Sequence, residues 1–257
     1  MPAGTVNMKI LAAIPVYNEA ESIVEVVEET KRHVDDILIV NDGSTDGTTE
    51  ILKKLSVPGL VVLHHQPNRG YGRSLIDAFD YAIREAFDCV VTLDADGQHE
   101  PGAIPQLAAD MGVADIVSGS RYLMNFEDAP VPPYARQCVN KKITALLRWR
   151  LGFDITDAFC GFKAYRTEAL KRLRLTEEGY AMPLQLWVQA ALLGLTVHEV
   201  PVKLIYKDVN RSFGGSLDQT AIRMRYYLDV IERECAAMKR FQDELTCTGC
   251  SGAPCAS

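Results

Sequence analysis

Thr92-Leu93-Asp94-Ala95-Asp96-Gly97-Gln98-His99 decides how this chain is read. Residues 89–93 form a short apolar run that reads as a buried strand, and it leads directly into two carboxylates and a glycine. The carboxyl ends of strands are where an open α/β sheet places its ligands. Two carboxylates one residue apart are costly unless something cationic sits between them. A hard divalent metal with few protein ligands, sharing its shell with phosphate oxygens, meets that need. The stretch therefore predicts a strand end holding a metal that holds a diphosphate.

Outward from this strand the first half of the chain alternates. Residues 9–15, 36–40, 60–64 and 115–118 are further short apolar runs. Between them Ile23, Val26, Val27, Thr30 and Val34 recur at helical spacing, as do Leu75, Ile76, Phe79 and Ile83. Thr45 or Asp46 can cap the helix that carries Ile51, Leu52 and Leu55. Such alternation predicts an α/β fold, a Rossmann-like, mostly parallel sheet with right-handed crossovers and flanking helices.

After Tyr122 the pattern changes. Residues 125–133 read as a loop long enough for a lid. Residues 140–151 read as a basic helix, 162–165 as a short strand, 183–193 as a helix and 198–206 as a strand. Residues 217–245 read as a long helix with Met224, Leu228, Ile231, Cys235 and Met238 on one stripe. We expect a catalytic domain over 1–216. The helix 217–245 is a C-terminal extension packed on that domain, on a membrane or on a partner. A flexible tail over 246–257 carries Cys247, Cys250 and Cys255, which do not complete a zinc site.

The chain has 257 residues and a net charge of −7, which argues against general nucleic-acid binding. An anionic substrate would then need a metal or local arginines. No apolar run approaches the roughly 18 residues that span a bilayer. No signal-peptide pattern precedes the first strand, and the scattered cysteines suit a reducing compartment. The expectation is a cytoplasmic protein.

Three strand ends converge on one rim. The first carries Pro15-Val16-Tyr17-Asn18-Glu19, the second Asn41-Asp42-Gly43-Ser44 and the fourth Asp94-Ala95-Asp96. Asn18, Glu19, Asn41 and Asp42 can accept hydrogen bonds from a base and a ribose, and Tyr17 offers a flat face. Residues 42–47 could equally be a turn and helix cap, since Asp, Ser and Gly serve turns well. They also mimic part of a calcium loop, but Lys53 stands where that loop needs glutamate. Asn68-Arg69-Gly70-Tyr71-Gly72 reads as a turn before a helix rather than a phosphate loop.

The ordered set resembles the family-2 glycosyltransferases, of inverting GT-A type. It comprises Pro15 to Glu19, Asn41 to Ser44, Asn68-Arg69-Gly70, Asp94 to Asp96 and Ser118-Gly119-Ser120-Arg121-Tyr122. Within that family the chain is most similar to the dolichol-phosphate mannosyltransferase branch. The features are Asp96-Gly97-Gln98, Cys160-Gly161-Phe162-Lys163 and Arg211-Ser212-Phe213-Gly214-Gly215-Ser216. The resemblance implies transfer of mannose or glucose from GDP-mannose or UDP-glucose to a polyprenyl phosphate. It implies a donor nucleotide site made of Pro15, Tyr17, Asn18, Glu19, Asp42, Gly43, Ser44 and Asp94. It implies that Asp96 and Gln98 hold Mg²⁺ or Mn²⁺. Asp94, Asp96 and Arg121 would carry the catalysis, and Arg121, Arg136, Asn140 and Arg211 would face the acceptor and its phosphate.

Attack at the anomeric carbon expels a nucleoside diphosphate, whose developing charge a metal stabilises. A phosphate acceptor is already an anionic nucleophile and needs only cations to place it, a task suited to arginine's planar fork. Members of this branch are attached to membranes by their own C-terminal spans or by small membrane subunits, so peripheral attachment is an expectation too. Three positions depart from the branch pattern on the acceptor side: Asn140 replaces Ser or Thr, Leu217 replaces Lys, and an acidic residue is usual near Gln185. Transfer to a hydroxyl is the alternative. It needs a carboxylate base, for which Asp157 is the candidate. A non-catalytic nucleotide-sugar-binding subunit is a third reading.

Overall fold

The computed structural model describes residues 8–124, 126, 133–152, 154–203, 205 and 215–248, with side chains described through Lys239. Its strands are β1 (Ile10–Val16), β2 (Asp36–Asn41), β3 (Leu60–His64), β4 (Cys89–Thr92), β5 (Ile116–Ser120), β6 (Lys163–Arg166) and β7 (Val197–Pro201). They make one sheet in the order β3-β2-β1-β4-β6-β5-β7. The β1–β2, β2–β3, β1–β4 and β5–β7 pairs are parallel, whereas β6 runs antiparallel to both β4 and β5.

The helices are α1 (Ile23–Lys31), α2 (Thr48–Lys54), α3 (Tyr71–Arg84), α4 (Ile104–Ala109), α5 (Tyr134–Leu151), α6 (Thr167–Leu170), α7 (Met182–Leu192) and α8 (Thr220–Thr248). Successive strand residues point to opposite faces, so each strand feeds two cores. Leu11, Ala13, Leu38, Val40 and Val90 pack against Leu75 and Phe79 of α3, Ile143 of α5, Trp187 of α7 and Ile231 of α8. Ala12, Ile14, Ile37, Ile39 and Val91 pack against Ile23 and Val27 of α1 and Leu107 of α4. Covering both faces with helices explains why the inner strands are almost continuously apolar.

Several sequence expectations shift. The basic helix begins at Tyr134, directly after Pro133, which stands before it as an extended N-cap residue. The strand expected over 198–206 is Val197–Pro201, and 204 and 206 lie outside the described residues. The short helix α4 was not anticipated; Pro105 sits in its first turn. Position 125 and positions 127–132 of the expected loop lie outside the described residues, as do Cys250 and Cys255.

The long C-terminal helix starts at Thr220 after a 3₁₀ turn over Gly215–Asp218. It packs on α7 through Tyr227, Val230 and Ile231. A polar lock is buried alongside. Glu234 accepts hydrogen bonds from Gln185 Nε2 at 2.8 Å and Gln189 Nε2 at 2.7 Å.

Candidate active site

The sheet winds outward from β1 in both directions, to β2 and β3 on one side and to β4 on the other. This reversal leaves a crevice at the carboxyl ends of β1 and β4, the preferred ligand position of such sheets. Pro15 to Glu19 leave β1 there, Asn41 to Ser44 leave β2, and Asp94 to Asp96 follow β4. The three predicted strand ends therefore meet.

The first two ends are tied to each other. Asn18 adopts a left-handed backbone, φ 58°. Its N–H donates to Ser44 Oγ at 3.0 Å, and its Oδ1 accepts from Thr45 N–H at 2.8 Å. Thr48 Oγ1 accepts from Glu19 N–H at 2.9 Å. The N-cap of α2 is Gly47, at φ 102°, rather than Thr45 or Asp46; Asp46 precedes it and accepts from the N–H and hydroxyl of Thr48. Asn41 is buried and bonds to Thr49 and His64. Tyr17 stays exposed on the rim.

Asp42 is buried and spends its carboxylate on the loop before α3. Oδ1 accepts from Arg69 N–H at 2.7 Å, Oδ2 accepts from Gly70 N–H at 2.8 Å, and His65 Nδ1 lies 2.7 Å from Oδ1. His65 Nε2 reaches Asp77 at 2.8 Å, and Asp77 is itself bonded by Arg73. Burial raises the Asp77 carboxyl, but the Arg73 and His65 contacts outweigh it and leave it below the usual range. Gly43 sits at φ 72°, and a Cβ there would fall 2.7 Å from Asn68 N. That close approach is why glycine follows Asp42.

Asp94 and Asp96 are half-buried. Gly97 turns the chain at φ 68°, and Gln98 N–H donates to Asp96 Oδ1 at 3.0 Å. His99 folds back under the loop. Its Nδ1 accepts from Asp94 N–H at 3.1 Å, and its Nε2 lies 3.9 Å from Asp94 Oδ2. Burial pushes the His99 pKa down to about 4, with Asp96 opposing the shift and Arg121 and Lys163 adding to it. An accepting Nδ1 on a neutral ring leaves the proton on Nε2, facing Asp94.

The antiparallel β6 brings a second set of groups to this rim. Its amino end lies beside the carboxyl ends of β4 and β5, so residues 156–162 line the crevice. Thr92 Oγ1 donates to the Gly161 carbonyl at 2.6 Å. A Cβ on Gly161 would stand 2.7 Å from Asp94 Oδ2. Arg121 forks onto the buried Asp157, with Nε to Oδ2 at 2.6 Å and Nη2 to Oδ1 at 2.9 Å. Burial alone would raise the Asp157 carboxyl, but the Arg121 guanidinium and the nearby Lys163 hold it below the usual range.

The glycosyl transferase family 2 model matches residues 12–174. The chain belongs to glycosyltransferase family 2. An undecaprenyl-phosphate mannosyltransferase of Micrococcus luteus is 29% identical over 226 residues, covering 84% of this chain and 93% of the relative. A polyprenol monophosphomannose synthase of Mycolicibacterium smegmatis is 32% identical over 230 residues, covering 85% and 86%. Among solved structures, a glucosyl-3-phosphoglycerate synthase of Mycobacterium tuberculosis, in complex with Mn²⁺, UDP and glucosyl-3-phosphoglycerate, matches with a TM-score of 0.68. It is 19% identical and covers 90% of this chain and 81% of that one. The fold is GT-A, and the chain is a glycosyltransferase, as expected.

In this family-2 enzyme the acceptor-side expectations divide. Arg121 is at the rim, engaged by Asp157 through two of its nitrogens. Arg136 is half-buried in the first turn of α5. Asn140 is buried and spends its amide on the 156–158 loop, accepting from Ala158 N–H at 3.2 Å and donating to the Thr156 carbonyl at 3.4 Å. Arg211 lies outside the described residues. Ile205 N–H donates to the Gln98 carbonyl at 3.2 Å.

Sequence reading missed Lys163 as part of the site. Its ammonium is buried beneath Asp94, Asp157 and Arg121 and donates to the Cys160 carbonyl. Burial lowers its pKa. Its place at the end of the Cys160-Gly161-Phe162-Lys163 motif was the available signal, since lysine is rarely buried without a partner. Among the described residues no cluster of three or more His, Cys, Asp or Glu side chains can enclose a metal. One carboxylate and one amide at Asp96 and Gln98 fit an oxygen-ligated cation that completes its shell from a diphosphate.

Proposed function

We propose that this glycosyltransferase moves a sugar, mannose or glucose, from a nucleoside diphosphate donor to a polyprenyl phosphate, with inversion. The observation that carries the reading is the meeting of Asp42, Asp94 and Asp96 on one rim, with the Arg121–Asp157 fork beside them. Carboxylates recognise hydroxyls and amides, so Asp94 suits the ribose and sugar, while Asp42, buried and bonded through both oxygens, fixes the loop that would line the nucleoside. Pro15, Tyr17, Asn18, Glu19, Gly43 and Ser44 form the adjoining wall. Mg²⁺ or Mn²⁺ held by Asp96 and Gln98 would offset the charge on the departing diphosphate. The two similar curated relatives are named for mannosyl transfer to lipid phosphates, which supports the acceptor class.

The residues supply position and field. The acceptor phosphate attacks the anomeric carbon, and the nucleoside diphosphate leaves from the opposite side. A phosphate oxygen is anionic at neutral pH, so no base has to remove a proton. This agrees with Asp157, whose oxygens are occupied by Arg121 and by the N–H of Phe159 at 3.2 Å. A base for a hydroxyl acceptor would have to be freed from that clamp. Arg121 and Arg136 bring positive charge to an acidic protein at the place where two phosphorylated ligands must meet.

The lipid acceptor requires a membrane surface. Among the described residues no helix is long and apolar enough to cross a membrane. α5 offers a different kind of attachment. It carries Arg136, Lys141, Lys142, Arg148 and Arg150 and no acidic residue. Tyr134 and Trp149 stand 81% and 82% exposed on its outer side, a pairing of aromatic and basic groups suited to an anionic lipid surface. α8, by contrast, buries its stripe on α7.

A calorimetric donor screen tests the first half. GDP-mannose, UDP-glucose, UDP-N-acetylglucosamine and the free diphosphates are titrated with Mn²⁺ and with EDTA. Metal-dependent binding of one donor is the expected result, and binding of none removes the proposal. Transfer of the bound sugar to a polyprenyl phosphate, and not to a soluble hydroxyl acceptor, tests the second half.

A further inference from the structure

Three consecutive residues at the start of α3 serve both donor-side carboxylates. Arg69 and Gly70 give their backbone N–H groups to Asp42, and the Tyr71 hydroxyl donates to Asp94 Oδ1 at 3.4 Å. Tyr71 is half-buried, and its ring stacks on Tyr180 with centroids 5.8 Å apart and planes 19° apart. The segment before Tyr180 is packed tightly on the same turn. Arg73 N–H donates to the Glu178 carbonyl at 3.1 Å, and a Cβ on Gly72 would collide with the Glu177 carbonyl. Glu177 is held in turn by Tyr226 and Arg233 of α8.

On its other side Asp94 is bounded by Gly161 and His99. Nothing in the fold requires a hydroxyl at position 71, because phenylalanine would keep the stack. The hydroxyl instead meets the carboxylate that the proposed function turns toward the donor. Burial and the adjacent Asp94 both keep the phenol protonated, and therefore a donor.

We propose that Tyr71 is a positioning residue that fixes the Asp94 carboxylate for the ribose or sugar of the donor. The inference rests on the donor role of Asp94 given above. With Tyr71 on Oδ1 and the Gly161–His99 wall against Oδ2, the carboxylate has one orientation before the donor arrives, which lowers the ordering cost of binding. Asp42 needs no such aid, since the backbone already holds it.

The test is a thermodynamic cycle on the full chain, using Tyr71→Phe, Asp94→Ala and the double variant. Donor and free nucleoside diphosphate are titrated by calorimetry with Mn²⁺, and thermal midpoints are recorded. Tyr71→Phe should unfold with the wild type and weaken the same ligands that Asp94→Ala weakens, by about tenfold. In the Asp94→Ala background the added Tyr71→Phe should cost nothing further. An equal loss in both backgrounds, or no loss in either, overturns the inference while leaving Asp94 in its role. No effect of Asp94→Ala on any ligand overturns the donor role of Asp94, and the inference with it.

Discussion

Arg121 and Asp157 form a two-pronged ion pair in which the aspartate side chain is wholly buried while the arginine side chain keeps about a fifth of its surface open. Asp157 therefore anchors an arginine and is not a spare base. Removing one partner of a buried pair leaves an uncompensated charge, at a cost of about 3–5 kcal/mol. Arg121→Ala should lose both turnover and stability. Urea denaturation beside a transfer assay checks this, and a variant of unchanged stability would contradict the pairing.

The same pair sets a pH dependence. The folded Asp157 carboxyl lies below its ordinary value of 3.8. Its contribution to stability is complete above that value and is lost as pH falls through the folded one. The stability gap between wild type and Asp157→Asn should thus be widest near neutrality and shrink below about pH 4. Denaturation curves at several acidic pH values measure it.

Asp96→Ala should abolish metal-dependent donor binding and reduce transfer by at least about a hundredfold. The titration with Mn²⁺ and with EDTA reads this directly. Persistence of a Mn²⁺ effect in the variant would move the cation elsewhere.

Gly161→Ala adds a Cβ 2.7 Å from Asp94 Oδ2, so the carboxylate must move. A displacement of that order in a reacting site costs about a hundredfold in rate. Thermal stability should change little, because Gly161 is only half-buried. Kinetics and a melting curve on one preparation separate the two effects.

Glu234→Ala leaves one N–H of each amide without its acceptor between α7 and α8, while Gln185 Nε2 still reaches Thr176 Oγ1 and Gln189 Nε2 the Arg174 carbonyl. Each buried polar group left unpaired costs about 1–3 kcal/mol. A drop of several degrees in thermal midpoint is expected, on the basis of about 2–4 °C per kcal/mol for a chain near this size. An unchanged midpoint would show that α8 is not locked through this contact.

The two tryptophans report on the proposed membrane face. Trp149 is exposed on α5, whereas Trp187 is fully buried and donates to the Ala158 carbonyl at 3.0 Å. Anionic phosphatidylglycerol vesicles should shift the emission to the blue, and Trp149→Phe should remove the shift. Zwitterionic vesicles should do neither.

The sequence by itself determined the parallel half of the sheet and the convergence of Asp42, Asp94 and Asp96. Those features follow from local periodicity and from one topological rule: strands linked by helices run parallel and end on one side. It also exposed the family, because the motifs that make the rim are contiguous and ordered. Tertiary structure alone decided what stands opposite them. β6 enters between β4 and β5 against the direction of its neighbours, a reversal that no local pattern in a four-residue strand encodes. That reversal carries Asp157, Gly161 and Lys163 to the rim. It turns an apparent base into the anchor of Arg121 and brings a glycine against Asp94. The amides of Asn140 and Gln185 were likewise assigned only by their neighbours, 8 to 49 positions away in the chain. A side chain's chemistry can be read from its letter, but which of its atoms remain available depends on contacts that only folding creates.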